Sequence, residues 1–445
     1  MHVAFFNRSY YPDQTATGQL LTDLSEDLVR EHGCRVSVVV GPPLQPLPGQ
    51  VVEQRGIVAR EMRNGVEIHR ARGTRFDKRR FAGRATNYVT YFMSATWAGL
   101  RLNRPDVLVA LTDPPIIGMT AWLAGKRFRA PFVMAFNDLF PEVAALLPDF
   151  RSSTVDNVLQ RVNEFLVRRA AMNIALGETM RQRLIDNKGA PADRTTVIPS
   201  WTDTSAIVPG NKDNAFARAH GLADKFVVMH SGNLGLSQEL ESIVEAAALL
   251  RDLPDLVVVF QGDGVMRSAL EAKVQSAGLT NVRFLPFASR ADLSESFASA
   301  DAFVVSLQRG LAGFIVPSKL YGILAAGRPY IAAVEENCEV DVITRRHDCG
   351  VLAEPGNAQS VAQAIRALYG DRDRTSRLGA NARAASMLFD RRLQVRRYLD
   401  VFQSVVGAPR TAPTASVGEP ARTAAFAPKA LRPTSPQPSR RQERS

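Results

Sequence analysis

The sequence predicts an α/β protein made of two doubly wound parallel-sheet domains. Three observations carry this. The chain has 445 residues, enough for two domains of about 200 residues each. Short apolar runs alternate steadily with amphipathic helical stretches through both halves. The same unit of strand, glycine-bearing loop and helix opens each half, first at Val3 and again at Phe226.

In the first half, Val3–Phe6 is a strand that runs into a polar loop, Asn7 to Gly18. The following helix carries Leu20, Leu21, Leu24 and Leu28 on one face and stops at Gly33, and 36–40 is the next strand. The loop lacks a G-x-G-x-x-G pattern. Ligands in open parallel sheets nevertheless sit at the carboxyl ends of strands, so Tyr10, Asp13, Thr17 and Gly18 are candidate site residues. Residues 41–65, broken by Pro46 and Pro48, read as a loop with at most a short pairing, and 66–70 as a strand.

The next segment is basic. Arg70, Arg72, Arg75, Lys78, Arg79, Arg80 and Arg84 face only Asp77, and Phe76, Phe81, Tyr88, Tyr91, Phe92 and Trp97 lie among or after them. Positions 81, 84, 88, 91, 92 and 95 fall on one side of a helix. Two readings stand: contact with an anionic bilayer surface, or a helix whose aromatics are core and whose arginines are solvated.

Strands at 106–111 and 131–136 end in Thr112-Asp113-Pro114-Pro115 and Asn137-Asp138. Two successive strands that each deliver an aspartate to one crevice offer groups to orient a hydroxyl, take its proton or stabilise positive charge. The competing reading is that each aspartate caps a helix. A long helix from 153, a strand at 173–176, a helix at 178–188 and a strand at 195–199 complete this half, and 207–219 crosses to the second.

The second half begins with strand 226–231 and the loop Gly232-Asn233-Leu234-Gly235, followed by a helix over 238–250. Strand 256–260 ends in Gln261-Gly262-Asp263-Gly264, and the glycines let the backbone approach a ligand. Helix 265–277, strand 282–285 and helix 292–300 lead to strand 302–306. A helix then opens at Pro317-Ser318 and closes near Gly327, with Ser318 as N-cap and Lys319 beside the unpaired N–H groups. That pairing suits a diphosphate; the bland alternative is a loop and helix with a solvated lysine. Glu335 to Glu339, after strand 330–334, either hydrogen-bonds a sugar or caps helix 339–345. Helices at 358–369 and 373–388 follow, and 389–406 is long enough to return across the first domain. The expected boundaries are 1–205, 206–388, a crossover helix at 389–406 and a basic, proline-rich disordered tail at 407–445.

Bulk properties narrow the function. No apolar run reaches 18 residues and no secretory leader precedes the first strand, so a cytoplasmic protein is expected. Cys34, Cys338 and Cys349 form no metal-ligand pair and no disulfide framework, in keeping with a reducing compartment, and no metal is expected. The net charge of +11 admits phosphorylated small molecules and anionic lipid. Nucleic acid is disfavoured, because part of the charge lies in the tail and no reader module surrounds the basic segment.

On four motifs the chain resembles the family 4 retaining glycosyltransferases of the GT-B fold. They are F-F-N-R-S-Y-Y-P-D-Q-T-A-T-G at 5–18, H-S-G-N-L-G at 230–235, G-D-G at 262–264 and P-S-K-L-Y-G-I-L-A-A-G-R-P at 317–329. Within that family it is similar to the branch building bacterial exopolysaccharide and O-antigen, including fucosyl- and fucosaminyl-transferases. The resemblance implies two Rossmann-like domains facing across a crevice, a UDP- or GDP-linked sugar donor held by the second, an acceptor against the first, and retention of configuration without an obligatory metal or other cofactor. It would place Gly232 and Asn233 at the diphosphate, Ser318 and Lys319 as its main anchor, Gly262 and Asp263 near the base or ribose, Gly18 close to the phosphates, and Asp113 and Asp138 on the acceptor side.

The chain departs from the family where two glutamates eight residues apart are usual. Phe314 and Gly322 stand there, Phe314 being expected to pack against the donor. Asp113 or a neighbour stands where a histidine is usual, and His230 is expected to be structural. The expected activity is transfer of a sugar to a lipid-linked saccharide by a protein peripheral to the inner face of the cell membrane. The alternatives are a degenerate nucleotide-sugar-binding partner of another transferase and a nucleotide-sugar epimerase.

Overall fold

Near-continuous apolar strands, buried on both faces, are what a parallel sheet between two helical layers demands. The computed structural model describes residues 1–13, 15–43, 56–74, 76, 81–143 and 153–407. The expectations for the loop at 44–55, for Arg75 and for 77–80, and for the tail from 408 onward lie outside these residues.

The first sheet has eight strands: β1 His2–Phe6, β2 Arg35–Val40, β3 Val58–Arg63, β4 Val66–Ala71, β5 Val107–Ala110, β6 Phe132–Ala135, β7 Met172–Ala175 and β8 Thr195–Val197. Their order is β3-β4-β2-β1-β5-β6-β7-β8. β1 is flanked by β2 and β5, both parallel to it, so the topology reverses between β1 and β5. Among the described strands of this sheet only β3 runs antiparallel, paired to β4 with Arg63 opposite Val66. This is the short pairing expected within 41–65, extended to a six-residue strand. Asn64 and Gly65, both at positive φ, make the two-residue hairpin turn that an Asn-Gly pair favours.

The second sheet has six parallel strands: β9 Phe226–Ser231, β10 Leu256–Gln261, β11 Val282–Leu285, β12 Ala302–Ser306, β13 Tyr330–Ala333 and β14 Gly350–Ala353. Their order, β11-β10-β9-β12-β13-β14, reverses between β9 and β12. The helix after β9 is shorter than expected, Leu240–Ala248. A 3-10 turn over Leu236–Gln238 precedes it, and Glu239 at φ +47° breaks the continuity.

Alternate residues of each strand feed opposite cores. Val3 and Phe5 face one side of the first sheet and Ala4 and Phe6 the other. Helix Arg391–Gly407 completes the Phe5 side with Val395, Tyr398, Leu399 and Phe402. Phe402 meets Phe5 edge-on at 6.0 Å, Tyr398 meets Trp201 at 5.8 Å, and Arg391 binds Asp23 and the buried Asp27 on helix Ala16–Arg30. The last helix is thus a core element of the first domain, as its length predicted. The opposite side is closed by helices Phe81–Gly99, Gly118–Phe128, Ser153–Arg169 and Glu178–Lys188.

Helix Phe81–Gly99 follows the core reading for part of the aromatic segment. Tyr91 is core, its hydroxyl donating to Asn7 O at 2.7 Å. Trp97 and Phe76 are exposed.

Candidate active site

The carboxyl end of β9 meets that of β12 at the reversal of the second sheet, where an open α/β sheet holds its ligand. Gly232, just past β9, has φ +128°, and Gly262, just past β10, has φ +140°. A Cβ on Gly262 would fall 1.9 Å from the Gly232 carbonyl oxygen, so this crossing admits only glycine. The two loops are further joined by Leu234 N donating to Asp263 O at 2.9 Å. Asn233 and Asp263 are exposed, and Asp263 uses a carboxylate oxygen to accept from Gly264 N at 2.8 Å.

Lys319 reaches this loop pair from the start of helix Lys319–Ala325. Its Nζ lies 3.7 Å from where a Cβ on Gly232 would stand and 2.9 Å from Nε2 of the buried His230 on β9. Among the described residues, none of the salt bridges involves Lys319. Burial without a counter-charge pushes its ammonium down to about 7. Burial, then the Lys319 charge, holds the His230 imidazole well below its ordinary range.

Ser318 stands at the cap position, but it has helical φ and ψ and makes no side-chain cap bond, which corrects its reading as an N-cap. The helix spans seven residues, and the anion-binding character of the site therefore rests on Lys319. Gly322 faces away toward Phe297 and Ile207, with Phe297 Cε2 3.0 Å from a Cβ built there.

On the first-domain side, Asp113 and Asp138 follow the neighbouring strands β5 and β6. Asp113 accepts from Ser9 Oγ at 3.0 Å, and its carbonyl accepts from Arg8 N at 2.7 Å. Burial raises its carboxyl, and the nearby Arg8 charge opposes that rise. Asp138 is pushed up to about 6, by burial and then by repulsion from Asp113. The β1 loop is packed on itself: Tyr10, Asp13 and Gly18 are buried. A Cβ on Gly18 would meet Thr15 Oγ1 at 3.0 Å and Tyr10 N at 3.3 Å, so the loop's own packing accounts for this glycine. Thr17 is half-buried on the first turn of the helix.

The loop after β12 brings the two sides together. Ile315 forms a β-bridge with Asp138, and Leu139 N donates to Phe314 O at 2.9 Å. Phe314 is buried in the first domain's core with the Arg183 guanidinium over its ring at 4.7 Å. It leaves its own domain to plug the other, which corrects the expectation that it packs on the donor. Close by, Thr179 Oγ1 donates to Asn337 O at 2.6 Å, and Glu339 accepts from Glu178 N at 3.3 Å. Glu339 therefore caps a helix of the opposite domain, and Glu335 accepts from Gly310 N at 2.8 Å.

The sequence alone presents His230 as structural, because its pairing with Lys319 depends on the register of β9 against the helix start. The one available signal is its place two residues before Gly232. Among the described residues, no group of three His, Cys, Asp or Glu side chains is arranged to hold a metal, and no helix is long and apolar enough to cross a membrane.

Two family models match. Residues 16–201 match a glycosyl transferase 4-like domain and residues 212–385 match glycosyl transferases group 1. WcaI of Escherichia coli, provisionally named a colanic acid biosynthesis glycosyl transferase, is 30% identical over 229 residues, 51% of this chain and 53% of WcaI. WbjE of Pseudomonas aeruginosa, named a probable glycosyltransferase, is 25% identical over 269 residues, 60% of this chain and 66% of WbjE. The chain thus spans between half and two thirds of these relatives. Among solved structures, HepE from Anabaena in complex with UDP-glucose superposes with a TM-score of 0.69 at 18% identity, covering 91% of this chain and 100% of HepE. That likeness shows the same two-domain fold.

Proposed function

We propose that this chain, a GT-B glycosyltransferase by both of its domains, moves a sugar from a nucleoside diphosphate donor to a lipid-linked saccharide with retention of configuration. The observation that carries the proposal is Lys319: a half-buried cation with no carboxylate partner among the described residues, held against a loop that only glycine can form. A charge drawn partly out of water and left without a counter-charge is costly, and an arriving diphosphate supplies the missing partner.

In this reading the C1–O bond to the diphosphate breaks, a bond from C1 to the acceptor oxygen forms, and the acceptor's proton passes to the departing phosphate or to a carboxylate at the first-domain face. Lys319 stabilises the charge that develops on the leaving oxygen. Asp138 and Asp113 face the acceptor side, and the Phe314 plug keeps that side registered against the donor loops. Gly232, Asn233, Gly262 and Asp263 line the donor path, and Ser318 adjoins Lys319. The UDP-glucose bound by HepE favours a UDP-linked donor, and the colanic acid biosynthesis in the name of WcaI favours a saccharide of the exopolysaccharide class.

The lipid carrier is supported by helix Phe81–Gly99. Val89, Met93 and Trp97, with Leu100 just beyond, are 50, 65, 43 and 37% exposed at one-turn spacing. Arg101 stacks over Trp97 at 4.1 Å. An apolar stripe beside cations fits the headgroup boundary of an anionic membrane at the inner face of the cell membrane.

The test is a screen of UDP-, GDP- and other nucleotide sugars on the full chain, reading binding and transfer to a lipid-diphosphate saccharide, with Lys319→Ala alongside. Transfer from one donor, lost in the variant, is expected. Binding without transfer to any acceptor would instead identify a partner protein that only holds the nucleotide sugar. For the membrane, co-sedimentation with vesicles containing anionic lipid should fall several-fold on Met93→Ser with Trp97→Ala, and unchanged sedimentation would remove that part of the reading.

A further inference from the structure

Lys319 is paired with an imidazole where a carboxylate would be ordinary. A carboxylate at 2.9 Å would neutralise the ammonium and compete with an incoming anion. Neutral His230 offers one lone pair: it orients Nζ and leaves the positive charge available. Two nitrogens at that distance cannot both be protonated cations, so the pair shares its protons between a lysine donor and an imidazole acceptor. The ring is fixed: His230 is 1% exposed within β9, and the Gln238 side chain and the backbone of Asn233 and Val304 lie beside it. The charge that acts foremost on the ring is Lys319 itself, and what acts on Lys319 is burial.

We infer that His230 is a positioning residue for Lys319, its Nε2 accepting from the ammonium and holding Nζ at the Gly232 loop, where the donor's diphosphate arrives. The inference rests on the donor reading above. Its consequence is a proton-coupled anchor. Free Lys319 shares its proton near neutrality, and the bound diphosphate draws a full proton onto it. Donor affinity is then level at low pH and falls by up to tenfold per pH unit above the break. For Nε2 to accept, the neutral ring must carry its hydrogen on Nδ1.

The experiment is calorimetric titration of the full chain with UDP-glucose and with GDP-glucose from pH 5.5 to 9, in two buffers of different ionisation enthalpy. Their diphosphate diesters keep a constant charge over this range. The unaltered protein should show a break near neutrality and uptake of about one proton per donor bound above it. His230→Leu removes the acceptor, so the break should move down by a unit or more, with affinity at pH 8 about tenfold weaker. His230→Gln, which restores an accepting oxygen, should return the break and come within about threefold of the original affinity. If His230→Leu does not fold, His230→Asn, whose shorter amide falls short of Nζ, replaces it. An unmoved break in the acceptor-less variant, with or without a uniform loss of affinity, would overturn the inference while leaving the donor reading intact. Absence of saturable binding by the unaltered protein would overturn the donor reading, and the role of His230 with it.

Discussion

The loops that leave β1 and β9 occupy the same topological place in their domains, yet they are built in opposite ways. The β1 loop is filled by its own side chains: Tyr10 and Asp13 are buried, Ser9 is tied to Asp113, and Gly18 lies under Thr15. The β9 loop is stripped to backbone, with Gly232 crossed by Gly262 and a lysine laid alongside. Equal topology therefore sets where a ligand is met, and side-chain occupancy sets what each side can do. The first domain presents carboxyls on a packed surface, and the second presents glycine backbone that a ligand can approach closely, with the Lys319 cation beside it, the chemistry that a phosphate needs.

The largest test of this contrast substitutes its two glycines. Gly262→Ala drives a Cβ into the Gly232 carbonyl at a positive φ. It should cost roughly 3 kcal/mol or more in chemical denaturation and weaken donor binding about a hundredfold. Gly18→Ala meets only tight contacts within its own loop and should cost roughly 1 kcal/mol with donor affinity nearly unchanged. Equal losses of donor affinity would erase the distinction. Phe314→Ala comes next. The ring lies in the first domain's core although its segment belongs to the second, so the expected loss is about 3 kcal/mol, with increased proteolysis between the domains.

Two charge substitutions sharpen the comparison through pH. Lys319, pushed down to about 7 from an unfolded value of 10.5, carries a folding penalty that is full below the folded value and vanishes above the unfolded one. Lys319→Met should therefore add on the order of 1–2 kcal/mol of stability at pH 6, after allowing for solvent screening, and nothing near pH 11. It should also abolish measurable donor binding. Asp138 runs the other way. Raised to about 6 from 3.8, it carries a penalty above the folded value that is gone below the unfolded one. Asp138→Asn should stabilise by about 1 kcal/mol at pH 8 and not at all at pH 3.5, as read from urea midpoints at both pH values.

Where a feature is local to the chain, the sequence shows it. The apolar runs at Val3, Val107, Phe226, Leu256 and Ala302 announce buried parallel strands because both faces are covered. Gly327 announces its helix stop and takes φ +64°. β3 escapes because its residues are half-exposed and mixed, Val-Ala-Arg-Glu-Met-Arg, so that only the Asn64-Gly65 turn betrays it. Phe314 and His230 escape for a different reason: each acquires its meaning from a partner distant in sequence, Arg183 in one case and Lys319 in the other. Such pairings follow from how sheets and loops meet in space, which no run of neighbouring residues encodes.

The last helix gives the fold a schedule. Phe5 and Trp201 are covered by Phe402 and Tyr398, so the first core to leave the ribosome waits for nearly the last of the described residues. At ordinary synthesis rates the interval from Trp201 to Phe402 is on the order of 10–40 s. Throughout it, one apolar face of the first sheet has helix Ala16–Arg30 but lacks the helix that completes its cover. The nascent chain must be shielded over that time, and a premature stop anywhere before residue 391 yields a product with an open core, whatever the state of its donor site.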